Sequence, residues 1–249
     1  MPERQRLDVL LVERKFYASR SRARDALMRG AVLVNGVVAS KSGQLVSQNA
    51  DITILDAARH YVSRAALKLI AALQYFPIKT QGVNALDIGI STGGFSQVLL
   101  ENGVSHIIGV DVGHGQLDSF LVGHPAITLY EGLNARELAR HHLEGRPMNL
   151  VVSDVSFISL KLALPNALSL AEKGAQAVLL VKPQFEVGRE AVGKSGIVKD
   201  RSQAEDVAQK LFQWLDSQQN WQAKGLIPSP IDGGDGNREY LLFGEKSDD

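Results

Sequence analysis

From residue 83 onward the chain alternates short apolar runs with helical stretches, and this alternation constrains its fold more than any other feature. The predicted strands are residues 85–88, 107–110, 127–130, 150–153, 177–181, 222–226 and 240–243. Helices are predicted between most of them, notably over 95–102, 159–172 and 201–219. Such alternation predicts a parallel sheet with helices on both faces. We therefore predict an α/β fold with a seven-stranded, Rossmann-like sheet.

The first 58 residues follow a different and smaller pattern. Leucines at helical spacing predict a helix over 6–14, and a second helix is predicted over 19–29 with Ser19 as its N-cap. Two β-branched runs flank the pair Asn35-Gly36, which is typical of a tight hairpin. We predict three parts: a small α+β domain (1–58), a linker with a leading helix (59–82) and the larger domain (83–249).

The formal charge is zero overall but unequal along the chain. The sequence holds 27 Lys+Arg and 27 Asp+Glu, yet residues 1–80 carry 13 basic and 6 acidic side chains, and residues 81–249 carry 14 and 21. This asymmetry indicates that the basic part meets a polyanion, although solvated helix faces distributed by chance would give the same counts.

Composition excludes several classes of protein. Without cysteine, a disulfide scaffold, a thiolate zinc site and a cysteine nucleophile are all excluded. The longest stretch without a charged side chain is 13 residues, 88–100, whereas a membrane-spanning helix needs about 20 apolar residues. The N-terminus shows no secretory signal. We expect a cytoplasmic protein.

A glycine-rich turn follows the first predicted strand of the larger domain. The segment Asp87–Gly94 has the sequence DIGISTGG, a helix begins at Phe95, and Asp111 follows the second strand. Such a turn lets a ligand approach the backbone closely, and a carboxylate after the second strand can accept hydrogen bonds from ribose hydroxyls. The spacing differs from dinucleotide and phosphate loops, which favours S-adenosylmethionine over a pyrophosphate cofactor. Alternatively, the glycines only make a tight turn and Asp111 only caps a loop.

Four further charged residues stand near the ends of predicted elements. Asp154 and Lys182 follow strands, Glu239 precedes the last strand, and Lys68 lies on the helix before the first. Ligands of doubly wound sheets bind outside the carboxyl ends of the strands. Glu239 reaches that rim if its strand is antiparallel, and Lys68 could cover it. A single charge at a strand end is usually a solvated boundary residue, but two lysines and two acids at one rim indicate an active site.

These motifs together resemble the TlyA family of ribosomal RNA 2′-O-ribose methyltransferases, sometimes labelled hemolysins. The N-terminal part resembles the S4-like RNA-binding domain of the alpha-L fold, and the rest resembles an FtsJ-type, class I methyltransferase domain. The matching stretches are RLD (6–8), SR-x-x-AR (19–24), VNG (34–36), YVSR (61–64), DIGISTGGF (87–95), DVG (111–113), NAR (134–136), DVSFIS (154–159), VKPQFE (181–186) and GNRE (236–239). The sequence departs from the family at Ala65-Ala66, where two glycines are usual, and at Ile90, where a smaller residue is usual.

The resemblance implies S-adenosylmethionine as the cofactor, no metal, and ribosomal RNA or ribosomal subunits as the partner. The implied catalytic set is Lys68, Asp154, Lys182 and Glu239. The residues expected to bind the cofactor are Asp87, Gly89, Ser91, Thr92, Gly93, Gly94, Phe95, Asp111, Asn134 and Asp154. The implied target is the 2′-hydroxyl of cytidine in small-subunit rRNA, with large-subunit rRNA as a second target.

Lys182 is the best candidate for the base that takes the hydroxyl proton, and a neighbouring Lys68 with partial burial would favour its neutral form. The residues expected to contact RNA are Arg6, Arg14, Lys15, Arg20, Arg22, Arg24, Arg29 and Arg64. Three alternatives remain: a membrane-active hemolysin-like protein, which needs an apolar insertion segment, an NAD-dependent dehydrogenase, and a catalytically inactive RNA-binding protein.

Overall fold

The computed structural model describes residues 4–188, 192–193, 196–198 and 200–247. The chain divides into two compact units, Met1–His60 and Tyr61–Asp249. The first unit contains two helices, α1 (Leu7–Glu13) and α2 (Arg20–Met28). Its strands are β1 (Arg4–Arg6), β2 (Val32–Val34), β3 (Val37–Val38), β4 (Leu45–Ser47) and β5 (Ile52–Ile54).

The first unit packs its two helices and short strands around one apolar core. β2 pairs with β3 and β5, and β1 pairs with β4, all antiparallel. The Ser19 hydroxyl accepts a hydrogen bond from the Arg22 backbone N–H, which confirms the predicted N-cap. Asn35 and Gly36 have φ angles of 50° and 79°, and they form the predicted hairpin turn. Arg6 lies in β1 and not in the first helix, where it was predicted. The strand was missed because three residues are too few to show the alternating pattern by which a strand is predicted.

The second unit is built around a seven-stranded sheet. Its strands are β6 (Asn84–Ile88), β7 (His106–Asp111), β8 (Ile127–Glu131), β9 (Leu150–Ser153), β10 (Gln176–Val181), β11 (Trp221–Pro228) and β12 (Tyr240–Lys246). Its helices are α3 (Ala66–Tyr75), α4 (Gly94–Glu101), α5 (Leu160–Ala163), α6 (Pro165–Leu170) and α7 (Arg201–Asp216). The strand order is β11-β12-β10-β9-β6-β7-β8, and β12 runs antiparallel to both of its neighbours. The predicted α/β fold class is thereby confirmed.

Helices cover the sheet on both faces because side chains alternate along each strand. In β6, Leu86 packs into a core with α5, α6 and α7, whereas its neighbour Ala85 packs into a second core with α3 and α4. Every residue of β10 is buried. The strands can therefore be apolar throughout, as the sequence predicted.

Two helical predictions need correction. The helix predicted over 159–172 is divided into α5 and α6, because Pro165 lacks a backbone N–H and begins a new helix. Within the predicted linker and leading helix (59–82), the sequence predicts a helix over residues 63–75, whereas α3 begins at Ala66. The segment 185–200 is rich in Gly, Lys and Arg, for which the sequence predicts a mobile active-site loop, and it lies partly outside the described residues.

Candidate active site

The glycine-rich turn leaves the carboxyl end of β6 and begins α4. Gly89, Ser91 and Gly93 have φ angles of 84°, 48° and 91°. At Gly89 a Cβ atom would lie 3.1 Å from the carbonyl oxygen of Asp154 and from the Cα of Val155. Glycine is therefore required here by both the left-handed backbone and the close approach of the neighbouring strand end.

Asp111, at the end of β7, is held by the turn. One carboxylate oxygen accepts a hydrogen bond from the Ser91 N–H (2.9 Å), and the other accepts one from the Gly113 N–H (2.8 Å). A carboxylate has about four acceptor positions. Asp111 therefore keeps acceptor capacity for the hydroxyls of a ligand while its orientation is fixed by the backbone.

A cleft with a volume of about 620 Å³ opens at this rim, a size typical of small-molecule sites. The residues that we predicted to bind a cofactor and that line this cleft are Asp87, Gly89, Ser91, Thr92, Gly94, Phe95, Asp111, Asn134 and Asp154. Gly93 instead supplies the left-handed residue immediately before α4. Lys182 also lines the cleft, together with Ser156 and Gln116, which were not predicted as site residues.

Asp87 is the most deeply buried carboxylate of the cleft. Its Oδ2 accepts a hydrogen bond from the Ser96 hydroxyl (2.7 Å), while Oδ1 is buried without a hydrogen-bond partner among the described residues. Burial, together with the charges of Asp154 and Asp111, raises the pKa of Asp87 to about 7. An orphaned buried oxygen of this kind fits a ligand that brings a donor or a positive charge.

The four predicted catalytic side chains form two ion pairs. Lys68 Nζ lies 2.5 Å from Glu239 Oε2, and both side chains are almost completely buried. Lys182 Nζ lies 2.7 Å from Asp154 Oδ1 and donates a hydrogen bond to the Ser156 hydroxyl, also 2.7 Å long. The antiparallel direction of β12 is what brings Glu239 to the carboxyl ends of the parallel strands.

The two pairs interact electrostatically. Burial raises the pKa of Glu239, and the positive charges of Lys68 and Lys182 oppose that rise. Lys68 is therefore committed to Glu239, whereas Lys182 is the lysine that lines the cleft. Both Lys68 and Asp154 were predicted near Lys182; Asp154 is a direct partner, together with Ser156, whereas Lys68 pairs with Glu239.

Further contacts join the loop after β9 to the loop after β10. The carboxylate of Glu186 accepts hydrogen bonds from the Ser159 hydroxyl (2.6 Å) and the Leu160 backbone N–H (2.7 Å). The rings of Phe157 and Phe185 pack with their centroids 5.0 Å apart. Glu186 was missed as a functional candidate, although it stands in the quoted VKPQFE motif, because nothing in the sequence shows which backbone amide it meets.

Ile90, a departure from the family pattern, is accommodated by β7. Its side chain is buried, and its Cδ1 lies 2.4 Å from where a Cβ on Gly109 would be. The absence of a side chain at Gly109 creates the room that Ile90 occupies.

The basic residues of the first unit differ in their partners. Arg6, Arg20 and Arg24 surround Asp8. Arg29 is mostly buried and is held by Asp25 and Asp56. Arg14 donates hydrogen bonds to the backbone carbonyls of Gln48 and Ala50. Arg22 donates to the backbone carbonyls of Ala58 and Arg59. Lys15 is exposed. Arg64, in the second unit, is half-buried. RNA contact by any of them stays a prediction.

Comparisons with known proteins identify the family. Residues 61–246 match the model of the FtsJ-like methyltransferases, and residues 5–52 match the S4 domain. Fold and site thus define a Rossmann-like methyltransferase with an N-terminal S4 domain.

Full-length relatives narrow this class. The 16S/23S rRNA (cytidine-2′-O)-methyltransferase TlyA of Mycobacterium tuberculosis is 40% identical over 98% of this chain and 90% of its own. Hemolysin A of Brachyspira hyodysenteriae is 34% identical over 95% and 98%. A solved structure from Streptococcus thermophilus that carries the name hemolysin is 37% identical, with a TM-score of 0.76 over 100% of this chain and 90% of that one. The chain belongs to the TlyA family of FtsJ-like methyltransferases.

Two absences hold for the described part of the chain. Within it, no helix is both long and apolar enough to cross a membrane. In the same residues, no group of three or more histidine or acidic side chains is arranged to hold a metal ion.

Proposed function

We propose that this protein is an S-adenosylmethionine-dependent 2′-O-ribose methyltransferase that acts on ribosomal RNA. The proposal depends chiefly on the Lys68–Glu239 and Lys182–Asp154 ion pairs, which stand at the rim of a cleft of cofactor size. Similarity to the TlyA protein of Mycobacterium tuberculosis supports cytidine as the target nucleoside, in both small- and large-subunit rRNA. A cytoplasmic location stays a prediction.

The residues of the cleft fit this cofactor. Asp111 is oriented to accept hydrogen bonds from ribose hydroxyls, and the glycine-rich turn admits a ligand against the backbone. The unpartnered oxygen of Asp87 suits a cationic group. When bound, S-adenosylmethionine supplies a methyl group on positively charged sulfur, which needs no metal for activation.

The protein's own task is to prepare the ribose hydroxyl. Lys182 is positioned by Asp154 and Ser156 and is the proposed acceptor of the hydroxyl proton, which requires that its ammonium first gives up a proton of its own. The buried Lys68–Glu239 pair lies close enough for the charge of Lys182 to act on Glu239. General-base assistance contributes about 10²–10⁴-fold, whereas alignment of reacting groups contributes up to roughly 7–11 kcal/mol. Positioning should therefore dominate the rate.

The decisive experiment maps ribose methylation. Purified protein is incubated with S-adenosylmethionine and with small subunits, large subunits or whole ribosomes that lack the modification, and nuclease digests are analysed by mass spectrometry. We expect a new 2′-O-methylcytidine. No methylation of any of these RNAs would contradict the proposal.

Lys182→Ala should abolish methyl transfer, because it removes the proposed base. Cofactor binding should stay nearly intact, because the substitution leaves Asp154 and the glycine-rich turn in place. Calorimetry with S-adenosylmethionine and a single-turnover assay measure the two properties separately. Lys210→Ala, which alters an exposed lysine of α7, is the matched control. Retained turnover, or lost cofactor affinity, would show that Lys182 is not the base.

A further inference from the structure

The first unit contains a buried carboxylate that holds three arginines at once. Asp8 is completely buried in the first turn of α1. Its Oδ1 accepts a hydrogen bond from Arg6 Nε (3.1 Å), and its Oδ2 accepts bonds from Arg20 and Arg24 (both 3.0 Å). The hydrogen bond from Arg6, supported by those from Arg20 and Arg24, holds the pKa of Asp8 well below its usual range.

The arginines come from separate elements and converge only at Asp8. Arg6 lies in β1, whereas Arg20 and Arg24 lie four residues apart on one face of α2. Their side chains are 46%, 50% and 47% exposed, so each guanidinium meets both the buried carboxylate and solvent. A guanidinium carries five N–H donors, and Asp8 engages at most two from each arginine.

Three guanidinium groups this close together repel one another, and free arginine side chains would separate. We infer that Asp8 is a positioning residue that presets Arg6, Arg20 and Arg24 as one binding site for a phosphodiester of the RNA substrate. The cluster carries three positive charges and one negative charge. It therefore stays cationic, and the planar guanidinium forks are oriented before the phosphate arrives.

This inference rests on the proposed function, because it assumes that RNA is the substrate. It also distinguishes among the basic residues of the unit. Arg29 is only 17% exposed and is committed to acidic partners, whereas the three arginines around Asp8 present about half of their surface. The S4 match over residues 5–52 includes all four members of the cluster.

The test uses Asp8→Asn in the full-length protein. This substitution makes the unit more positive, so simple charge attraction predicts tighter RNA binding. Positioning predicts the opposite: the KM for ribosomal subunits rises about tenfold, kcat at saturating RNA is unchanged, and the slope of log KM against log salt decreases because fewer phosphate contacts form. Asp51→Asn makes the same charge change at an exposed site and should leave the slope unchanged.

A thermodynamic cycle separates positioning from a general loss of structure. In an Arg6→Ala/Arg20→Ala/Arg24→Ala background, Asp8→Asn should no longer raise the KM, since its effect passes through these side chains. If Asp8→Asn does not fold, Asp8→Glu keeps the charge but displaces it by one methylene, and it should raise the KM with unchanged kcat. Unchanged or tighter RNA binding in whichever variant folds would overturn the inference, whereas an inactive wild type would instead contradict the proposed function.

Discussion

Asp87 shows how the site sets the charge of a single side chain. Its carboxyl is buried, shares the rim with Asp154 and Asp111, and has a pKa of about 7. A carboxyl with such a pKa changes its protonation state near neutral pH instead of being ionised throughout that range. A cationic ligand beside Asp87 favours the ionised form, so ligand binding and proton release are linked.

We predict that affinity for S-adenosylmethionine increases as pH rises from about 6 to about 8, because the ionised Asp87 becomes available without displacing a proton. In Asp87→Asn the affinity should be weaker and this increase should disappear. Calorimetry across the pH range, in buffers of different ionisation enthalpy, measures both affinity and proton release. Asp206→Asn, at an exposed site on α7, should behave as wild type.

The same group gives an independent check on the unliganded protein. Because the pKa of Asp87 is higher in the folded state, the unfolded chain loses its proton first as pH rises. Asp87 therefore makes the free energy of unfolding fall between about pH 4 and pH 7. Denaturation curves in which Asp87→Asn retains the whole of the wild-type decline would show that this carboxyl is not responsible.

At the scale of elements, the candidate active site takes its side chains from two loops that are joined by hydrogen bonds. The loop after β9 carries Asp154 and Ser156, and the loop after β10 carries Lys182. Glu186 connects them by accepting hydrogen bonds from Ser159 and from the first residue of α5, Leu160. A carboxylate at the start of this helix also satisfies an amide that has no partner within the helix.

We predict that Glu186→Ala lowers kcat by about tenfold or more, because a small displacement of reacting groups is costly, while the dissociation constant of the cofactor stays within about twofold. Glu186→Gln keeps one acceptor and should recover part of the rate. Single-turnover assays and calorimetry measure the two quantities. Glu205→Ala, an exposed glutamate on α7, is the control. A parallel loss of cofactor affinity would show that Glu186 acts on cofactor binding and not only on the alignment of the reacting groups.

At the scale of the whole molecule, the zero net charge conceals an unequal distribution between the basic first 80 residues and the acidic remainder. We predict that the KM for ribosomal subunits rises about tenfold or more between 50 and 200 mM salt, while the cofactor dissociation constant changes little. Steady-state assays at several salt concentrations measure this. A salt dependence that is equally steep for the cofactor would contradict the assignment of RNA binding to the basic part.

The sequence predicted the sheet and the rim well because both follow from local rules. Apolar strands alternate with helices, and charged residues at the ends of parallel strands meet at one edge. Very short strands such as β1 and β4 were missed because three residues carry no period. The pairing of charges was also beyond the sequence, since Lys68 meets Glu239 rather than Lys182 only through the arrangement of α3 and β12.

Glu239 comes last along the chain among the four predicted catalytic side chains, and this order has a consequence for the timing of activity. Glu239 lies 171 residues after its partner Lys68, and translation releases the chain from its N-terminus. A nascent chain that has emerged as far as Lys182 contains the S4 unit, the glycine-rich turn and both lysines, but it lacks the fourth predicted catalytic side chain. We therefore expect the nascent chain to bind RNA through its S4 unit before it is able to methylate RNA.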